Sequence, residues 1–181
     1  GVWGVHLRMT GQFQWIEHPS DPCTHTRVRF WNANGDELRF VDVRSFGEMW
    51  WVPPDVELTV GIPGLSRLGP EPFSEQFSAA YLKQRLKNSS RPIKTALLDQ
   101  ALVAGVGNIY ADESLFSAGI PPLTPAGRLT LAQLERLRSS LVDVLTASIG
   151  AGGTTFSDFR DLEGVNGNYG GQAWVYRRGG E

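Results

Sequence analysis

The sequence predicts an α+β chain: a partial β-sandwich over residues 1–52, a linker over 53–72, and a helical domain over 73–181. Three observations carry that reading. Residues 1–52 alternate apolar and polar positions and are rich in β-branched and aromatic side chains. Pro53, Pro54, Pro63, Pro70 and Pro72, with Gly61, Gly64 and Gly69, then interrupt both kinds of periodicity. Beyond them apolar residues recur at spacings of three and four.

The elements follow in order. Val2–Met9 alternates as a strand already under way at the first residue, so the chain reads as an internal piece of a longer polypeptide. Val28–Trp31 and Glu37–Val43 are two further strands around the Asn34-Gly35 turn, and Phe46–Val52 is a fourth. Ser74, with Glu75 in the first turn, is the expected start of a helix bearing Phe77, Tyr81, Leu82 and Leu86. Pro92 suits the first turn of the next helix, running to about Leu102. A glycine-rich turn leads into Tyr110–Ala118, closed by Gly119 and Pro121. Thr130 caps the longest helix, whose stripe is Leu131, Leu134, Leu137, Leu141, Val144 and Leu145. Residues 150–171 hold seven glycines and form a loop, and Gln172–Tyr176 is a last short strand.

Composition limits the function classes. The 17 basic and 19 acidic residues leave a net charge of −2, without the strongly basic balance usual for nucleic-acid binding. Any such role must rest on local clusters. No run of 18 apolar residues predicts a transmembrane helix, and no membrane partner is expected. The single cysteine, Cys23, can make neither an internal disulfide nor a four-cysteine zinc site. His6, His18 and His25 lack partners at metal-ligand spacing, so no metal ligand is assigned. Asp42, Glu48, Asp99 and Glu113 show no partner in sequence, and no catalytic residue is assigned within the chain.

Four constellations could carry function. In Val103–Ser114 two helices meet at Gly105-Val106-Gly107-Asn108, where converging amides and a helix N-terminus make an anion nest, with Asn108 as an added donor. The same glycines do not make a dinucleotide site: Tyr110 stands where a third glycine or alanine belongs. Upstream, Lys83, Arg85, Lys87, Arg91 and Lys94 fall within twelve residues free of acid, either a solvated face or a phosphate track. Met9 and Arg44-Ser45-Phe46 stand at strand ends. Two apolar residues and an arginine there could fill the space left by an extruded base, although alone they read first as core residues and a surface ion-pair partner. Gly152-Gly153-Thr154-Thr155, continuing through Phe156, Ser157, Asp158 and Phe159 to Tyr169, is a long loop of the kind that folds over a ligand.

Together these stretches resemble the bacterial formamidopyrimidine-DNA glycosylase family (Fpg, also called MutM). The carrying segments are His6–Gly11, Asp42–Gly47, Leu68–Pro72, Leu98–Phe116 and Gly152–Phe159. Gly105–Glu113 looks like that family's helix–two-turn–helix. The resemblance implies a base-excision-repair enzyme, a DNA glycosylase and AP lyase, acting on oxidised purines such as 8-oxoguanine and formamidopyrimidines in double-stranded DNA. It implies that Met9, Arg44 and Phe46 fill the void in the duplex, and that His25, Arg44, Arg91, Lys94, Asn108 and Tyr110 contact DNA. Thr154, Thr155, Phe156, Ser157, Asp158, Phe159 and Tyr169 correspond to the loop that closes over the lesion. It places the proline nucleophile and its glutamate before Gly1, and a zinc finger after Glu181. No cofactor is thus expected within the chain and zinc is expected in the intact protein, a cytoplasmic monomer. The alternatives are a Nei-type glycosylase for oxidised pyrimidines and a non-catalytic RNA-binding helix–two-turn–helix, against which the net charge of −2 speaks.

Overall fold

The structure, a computed structural model, describes residues 1–156 and 159–178. The chain divides into two compact units. One comprises residues 1–65 with the described part of 151–171, and the other residues 66–150 with those from 172 onward.

The first unit is built on two antiparallel sheets. Strands β1 (Val2–His6) and β5 (Glu48–Val52) pair in register from Val2 opposite Val52 to His6 opposite Glu48. Strand β4 (Glu37–Asp42) lies between β2 (Gly11–Ile16) and β3 (Thr26–Trp31). The sheets face each other: Trp3 and Phe30 meet edge to face at 5.8 Å. Trp3, Val5 and Met49 of one sheet and Phe13, Phe30 and Leu38 of the other line an apolar space of about 170 Å³. The layered architecture is a sandwich of few strands, which leaves Trp3 and Trp51 half exposed. The sequence reading assigns no strand to the residues of β2. They form a separate strand because Gly11 turns the chain so closely that a Cβ there would lie 2.3 Å from the Leu7 carbonyl oxygen.

Central strand β4 also holds a sealed ion network. Glu37 has no exposed surface, and its carboxylate takes paired hydrogen bonds from Arg29 (2.8 and 2.7 Å) and Arg39 (2.6 and 3.1 Å). These guanidinium bonds hold its carboxyl down from 4.5 to about 2, against the effect of burial.

The second unit is helical. Besides α1 (Leu58–Gly61) of the first unit, the helices are α2 (Ala79–Arg85), α3 (Ile93–Leu97), α4 (Asn108–Ser117) and α5 (Leu131–Gly150). Leu82, Leu97, Leu115, Leu134, Leu137 and Leu141 are at the centre of one buried cluster. Three expectations are corrected here. Helix α2 starts after Ser78, whose hydroxyl accepts the Tyr81 amide, whereas Ser74 lies in a turn and donates to the Glu71 carbonyl. Helix α3 stops at Leu97 because the Asp99 side chain captures the Ala101 amide, an alternative to continued helix. Residues 172–176 form no strand. The amides of Trp174, Val175 and Tyr176 go to the Glu113 carboxylate instead of to a neighbouring strand. The Thr130 cap is as expected: its hydroxyl accepts the Gln133 amide, and Gln133 accepts the Thr130 amide in return.

Candidate nucleic-acid interface

The first unit presents an exposed cluster at the ends of three strands. The β1–β2 turn passes through Arg8, at φ 55°, and lifts Met9 out to 69% exposure. The β4–β5 loop passes through Ser45, at φ 57°, which sets Arg44 and Phe46 side by side. The Arg44 guanidinium lies 5.1 Å from the centre of the Phe46 ring, and its Nη1 is 3.0 Å from the Met9 sulfur. Phe46 is 54% exposed. Met9, Arg44 and Phe46 therefore form one protruding group and are not core residues. Beneath them, Asp42 accepts the Thr10 hydroxyl (2.5 Å) and the Gly47 amide (2.8 Å). The Asp42 amide donates to the carbonyl of half-buried His25, which puts His25 beside the base of this cluster.

In the second unit the Gly105–Asn108 bend opens α4. Gly105 has φ +78°, a conformation that favours glycine. The side-chain amide of Gln100 braces the bend from both sides: Oε1 accepts the Gly105 amide at 2.8 Å and Nε2 donates to the Val106 carbonyl at 2.9 Å. Gly107, the N-cap, supplies no side-chain cap for the first turn of α4, and Asn108 beside it is exposed. At φ −109°, and with nothing within 4 Å of an added Cβ, neither backbone conformation nor packing requires a glycine at 107. What a glycine does provide there is clearance for a group approaching the bend from outside.

The neighbouring cations are already engaged. The Lys94 ammonium lies 2.8 Å from Oδ1 and 2.9 Å from Oδ2 of Asp112, one turn beyond Asn108 on the same face of α4. Arg91 pairs with Asp99 at 3.1 Å while remaining half exposed. The Ala101 amide and Arg91 together hold the Asp99 carboxyl below its ordinary value. Lys83 donates to the Leu129 carbonyl, and Lys87 lies beyond the end of α2, so those two lysines do not share a helix face. Tyr110 is partly buried and packs against the core, its hydroxyl 2.8 Å from that of Ser148 on α5.

The glycine-rich loop closes on itself. Thr154 bridges to Asn168, the Gly167 amide donates to the Thr155 hydroxyl, and the Thr155 hydroxyl donates to the Phe159 carbonyl. A Cβ on Gly167 would lie 2.3 Å from the Gly153 backbone, so the two arms touch through glycine. Tyr169 is buried in this stem, Phe156 is half-buried, and Phe159 is half exposed. Farther along, the Leu162 carbonyl accepts the Trp15 amide at 2.8 Å, attaching the loop to the open edge of β2. Ser157 and Asp158 lie outside the described residues.

All four carboxylates without a partner in sequence have one in space. Glu48 pairs with Arg8, Asp42 takes Thr10 and Gly47, Asp99 takes Arg91 and Ala101, and Glu113 takes three successive amides. Among the described residues no three His, Cys, Asp or Glu side chains gather as a metal site, and no helix is long and apolar enough to cross a membrane.

Comparison with known proteins matches residues 1–49 to the formamidopyrimidine-DNA glycosylase N-terminal domain and residues 68–160 to the formamidopyrimidine-DNA glycosylase H2TH domain. The chain belongs to the formamidopyrimidine-DNA glycosylase family. It is 94% identical over its whole length to the formamidopyrimidine-DNA glycosylase of Parasynechococcus marenigrum (strain WH8102), covering 65% of that protein. It is 69% identical to that of Prochlorococcus marinus (strain MIT 9313), covering 62%. The chain thus spans somewhat less than two thirds of the length of these relatives. The crystal structure of MutM (Fpg) from Thermus thermophilus matches 97% of the chain and 64% of its own, with a TM-score of 0.84 and 42% identity. The complex of Lactococcus lactis Fpg with DNA containing an abasic site matches 99% of the chain and 65% of its own, with a TM-score of 0.84 and 30% identity. Sequence reasoning gave no individual role to Thr10, Gly47 or Gln100, whose parts here are hydrogen bonds that no residue pattern marks.

Proposed function

We propose that this chain is the duplex-gripping and void-filling part of a base-excision-repair DNA glycosylase and AP lyase that removes oxidised purines such as 8-oxoguanine. The observation that carries the reading is the exposed Met9–Arg44–Phe46 group. Everting a nucleotide costs a few kcal/mol of stacking and pairing. Apolar Met9 and Phe46 refill the stack, and the Arg44 guanidinium offers donors to the base left unpaired. The Phe46 ring and the Met9 sulfur hold that guanidinium in place beforehand. At the second unit, Asn108 and the uncapped amides of α4 suit a phosphate oxygen, and Lys94 and Arg91 can exchange their carboxylate partners for one. The loop from Thr154 to Phe159 is the part proposed to cover the everted base, with Tyr169 as an anchor of its stem. Tyr110 is assigned to packing between α4 and α5.

The chemistry proposed for the intact enzyme uses a terminal secondary amine, which is less basic than lysine and more often neutral at pH 7. It attacks the sugar C1′, the base leaves, and the resulting imine acidifies the adjacent C–H for β- and then δ-elimination. The resemblance assigns that amine, its glutamate and the zinc to segments outside these 181 residues, and the described residues offer no ligand set for the metal. The chain alone is therefore expected to bind lesion duplex without forming a borohydride-trappable adduct. A trapped adduct with these residues alone overturns that division of labour. In the intact enzyme, faster excision of thymine glycol than of 8-oxoguanine overturns the purine assignment.

A further inference from the structure

We propose that Asp42 is a positioning residue for the void-filling group, its carboxylate locking the Met9 turn and the Arg44–Phe46 loop together so that three side chains enter DNA as one body. This rests on the void-filling reading above and extends it to a residue that touches no DNA.

Asp42 ends β4 and is 1% exposed. No ion pair among the described residues neutralises it. A buried carboxylate without a cation is unfavourable unless hydrogen bonds satisfy it. Here the donors come from the two segments that carry the exposed group. Thr10, adjoining Met9, donates its hydroxyl to Oδ1, and Gly47, adjoining Phe46, donates its amide to Oδ2. The Thr10 oxygen in turn accepts the Arg44 amide at 3.1 Å, so the turn and the loop are also bonded to each other. Burial alone would push the Asp42 carboxyl up. The Thr10 hydroxyl and the amides of Gly47, Arg44 and Ser45 instead hold it below its ordinary value, leaving both oxygens as acceptors at neutral pH.

Two further features fit a lock and not merely a sheet end. Each segment contains a non-glycine residue in left-handed backbone, Arg8 and Ser45, and such conformations persist only where the surroundings over-determine them. A Cβ on Gly47 would lie 2.7 Å from the Phe40 ring and 3.1 Å from Asp42 Oδ2, so the loop reaches the carboxylate only through glycine.

The test uses the full chain and a duplex with 2-aminopurine beside a tetrahydrofuran abasic analogue, whose fluorescence rises as the stack is opened. Binding is driven to saturation, so the amplitude reports insertion and not affinity. Asp42→Asn replaces one acceptor by a donor and is expected to lower the amplitude at least threefold. Thr10→Val breaks one arm only, is expected to lower it by less, and decides the matter alone should Asp42→Asn not fold. In Asp42→Asn/Arg44→Ala the loss should be smaller than the sum of the two single losses, because Asp42 acts partly through Arg44. Additive losses would indicate an independent structural effect and overturn the proposal. Full amplitude in Asp42→Asn and Thr10→Val, with loss in Met9→Ala and Arg44→Ala, overturns the proposal and leaves the void-filling reading standing. Full amplitude in Met9→Ala, Arg44→Ala and Phe46→Ala overturns both.

Discussion

Replacing Glu113 by glutamine tests whether one buried carboxylate ties the last described segment to α4. Glu113 has no exposed surface. Its Oε2 accepts the Trp174 amide at 2.7 Å, and its Oε1 accepts those of Val175 and Tyr176 at 3.0 and 2.8 Å. A hydrogen bond to a charged group contributes about 1.5–3 kcal/mol and a neutral one about 0.5–1.5 kcal/mol. In Glu113→Gln the Oε1 bonds survive in neutral form, a loss of roughly 1 kcal/mol each, while the new NH₂ group faces the Trp174 amide donor to donor, a loss of about 1–3 kcal/mol. The three bonds share one group and are not additive, so the expected destabilisation is about 3 kcal/mol. In a unit of this size that lowers Tm by roughly 12–24 °C. Helical circular dichroism on heating measures it, and trypsin cleavage after Arg177 or Arg178, which should accelerate, reports the local release. A drop equivalent to less than about 1 kcal/mol with unchanged cleavage would refute the reasoning, because the amides would then be satisfied without the charge.

Other outcomes follow from the same geometry. Asn108→Ala should weaken duplex binding by about 1.5–3 kcal/mol if its amide meets a phosphate, with little change in melting, since the side chain is exposed; fluorescence anisotropy titration measures this. Gly107→Ala should lower Tm only slightly, through the poorer N-cap, because an added Cβ meets nothing within 4 Å, yet weaken binding, and unaltered affinity would remove the clearance argument. Lys94→Ala should reduce the slope of log binding constant against log salt by no more than about 0.9, and by less to the extent that Asp112 still holds the ammonium in the complex. Glu37, held at about 2 against an ordinary 4.5, contributes stability that is complete above about 4.5 and lost as the pH falls from there toward 2. Glu37→Gln should flatten thermal stability across that interval, measured by calorimetry at successive pH values.

The order of sheet, connection and helices was legible because it depends on local periodicity: the alternation of Glu37–Asp42 and the leucine spacing of α5 each read directly as their element. Boundaries failed where a side chain overrode local preference. Ser74 and Ser78 are equally good caps by residue type, and only the turn after Pro72 decides between them. Gln172–Tyr176 has strand composition, but the amides of Trp174, Val175 and Tyr176 are claimed by Glu113, about sixty residues away in sequence. The site was legible in two unequal parts. Glycines before Asn108 at a helix start announce a phosphate-sized opening on physical grounds. Met9 and Phe46 do not announce themselves, because exposed apolar residues and core residues have the same composition. In sequence their place at strand ends beside Arg44 allows a void-filling reading that the family resemblance then favours, and in the structure the sign is their 69% and 54% exposure beside Arg44.

A net charge of −2 is an awkward property for the duplex binding proposed above, and the ion pairs suggest how the difficulty would be met. Lys94, Arg91, Arg8, Arg29 and Arg39 are each bound to a carboxylate, so much of the basic content works inside the protein. What faces outward at the two candidate contact points is a bend of backbone amides with a neutral asparagine, and an arginine braced by a ring and a sulfur. Amides and neutral donors fix position by geometry and release few counterions. Binding built this way depends on the shape of the bend and of the protruding group more than on long-range attraction. On the proposed reading, small bracing residues such as Gln100 and Asp42 would govern it, and an undamaged duplex, which presents phosphates but no void for Met9 and Phe46, would gain little from the encounter.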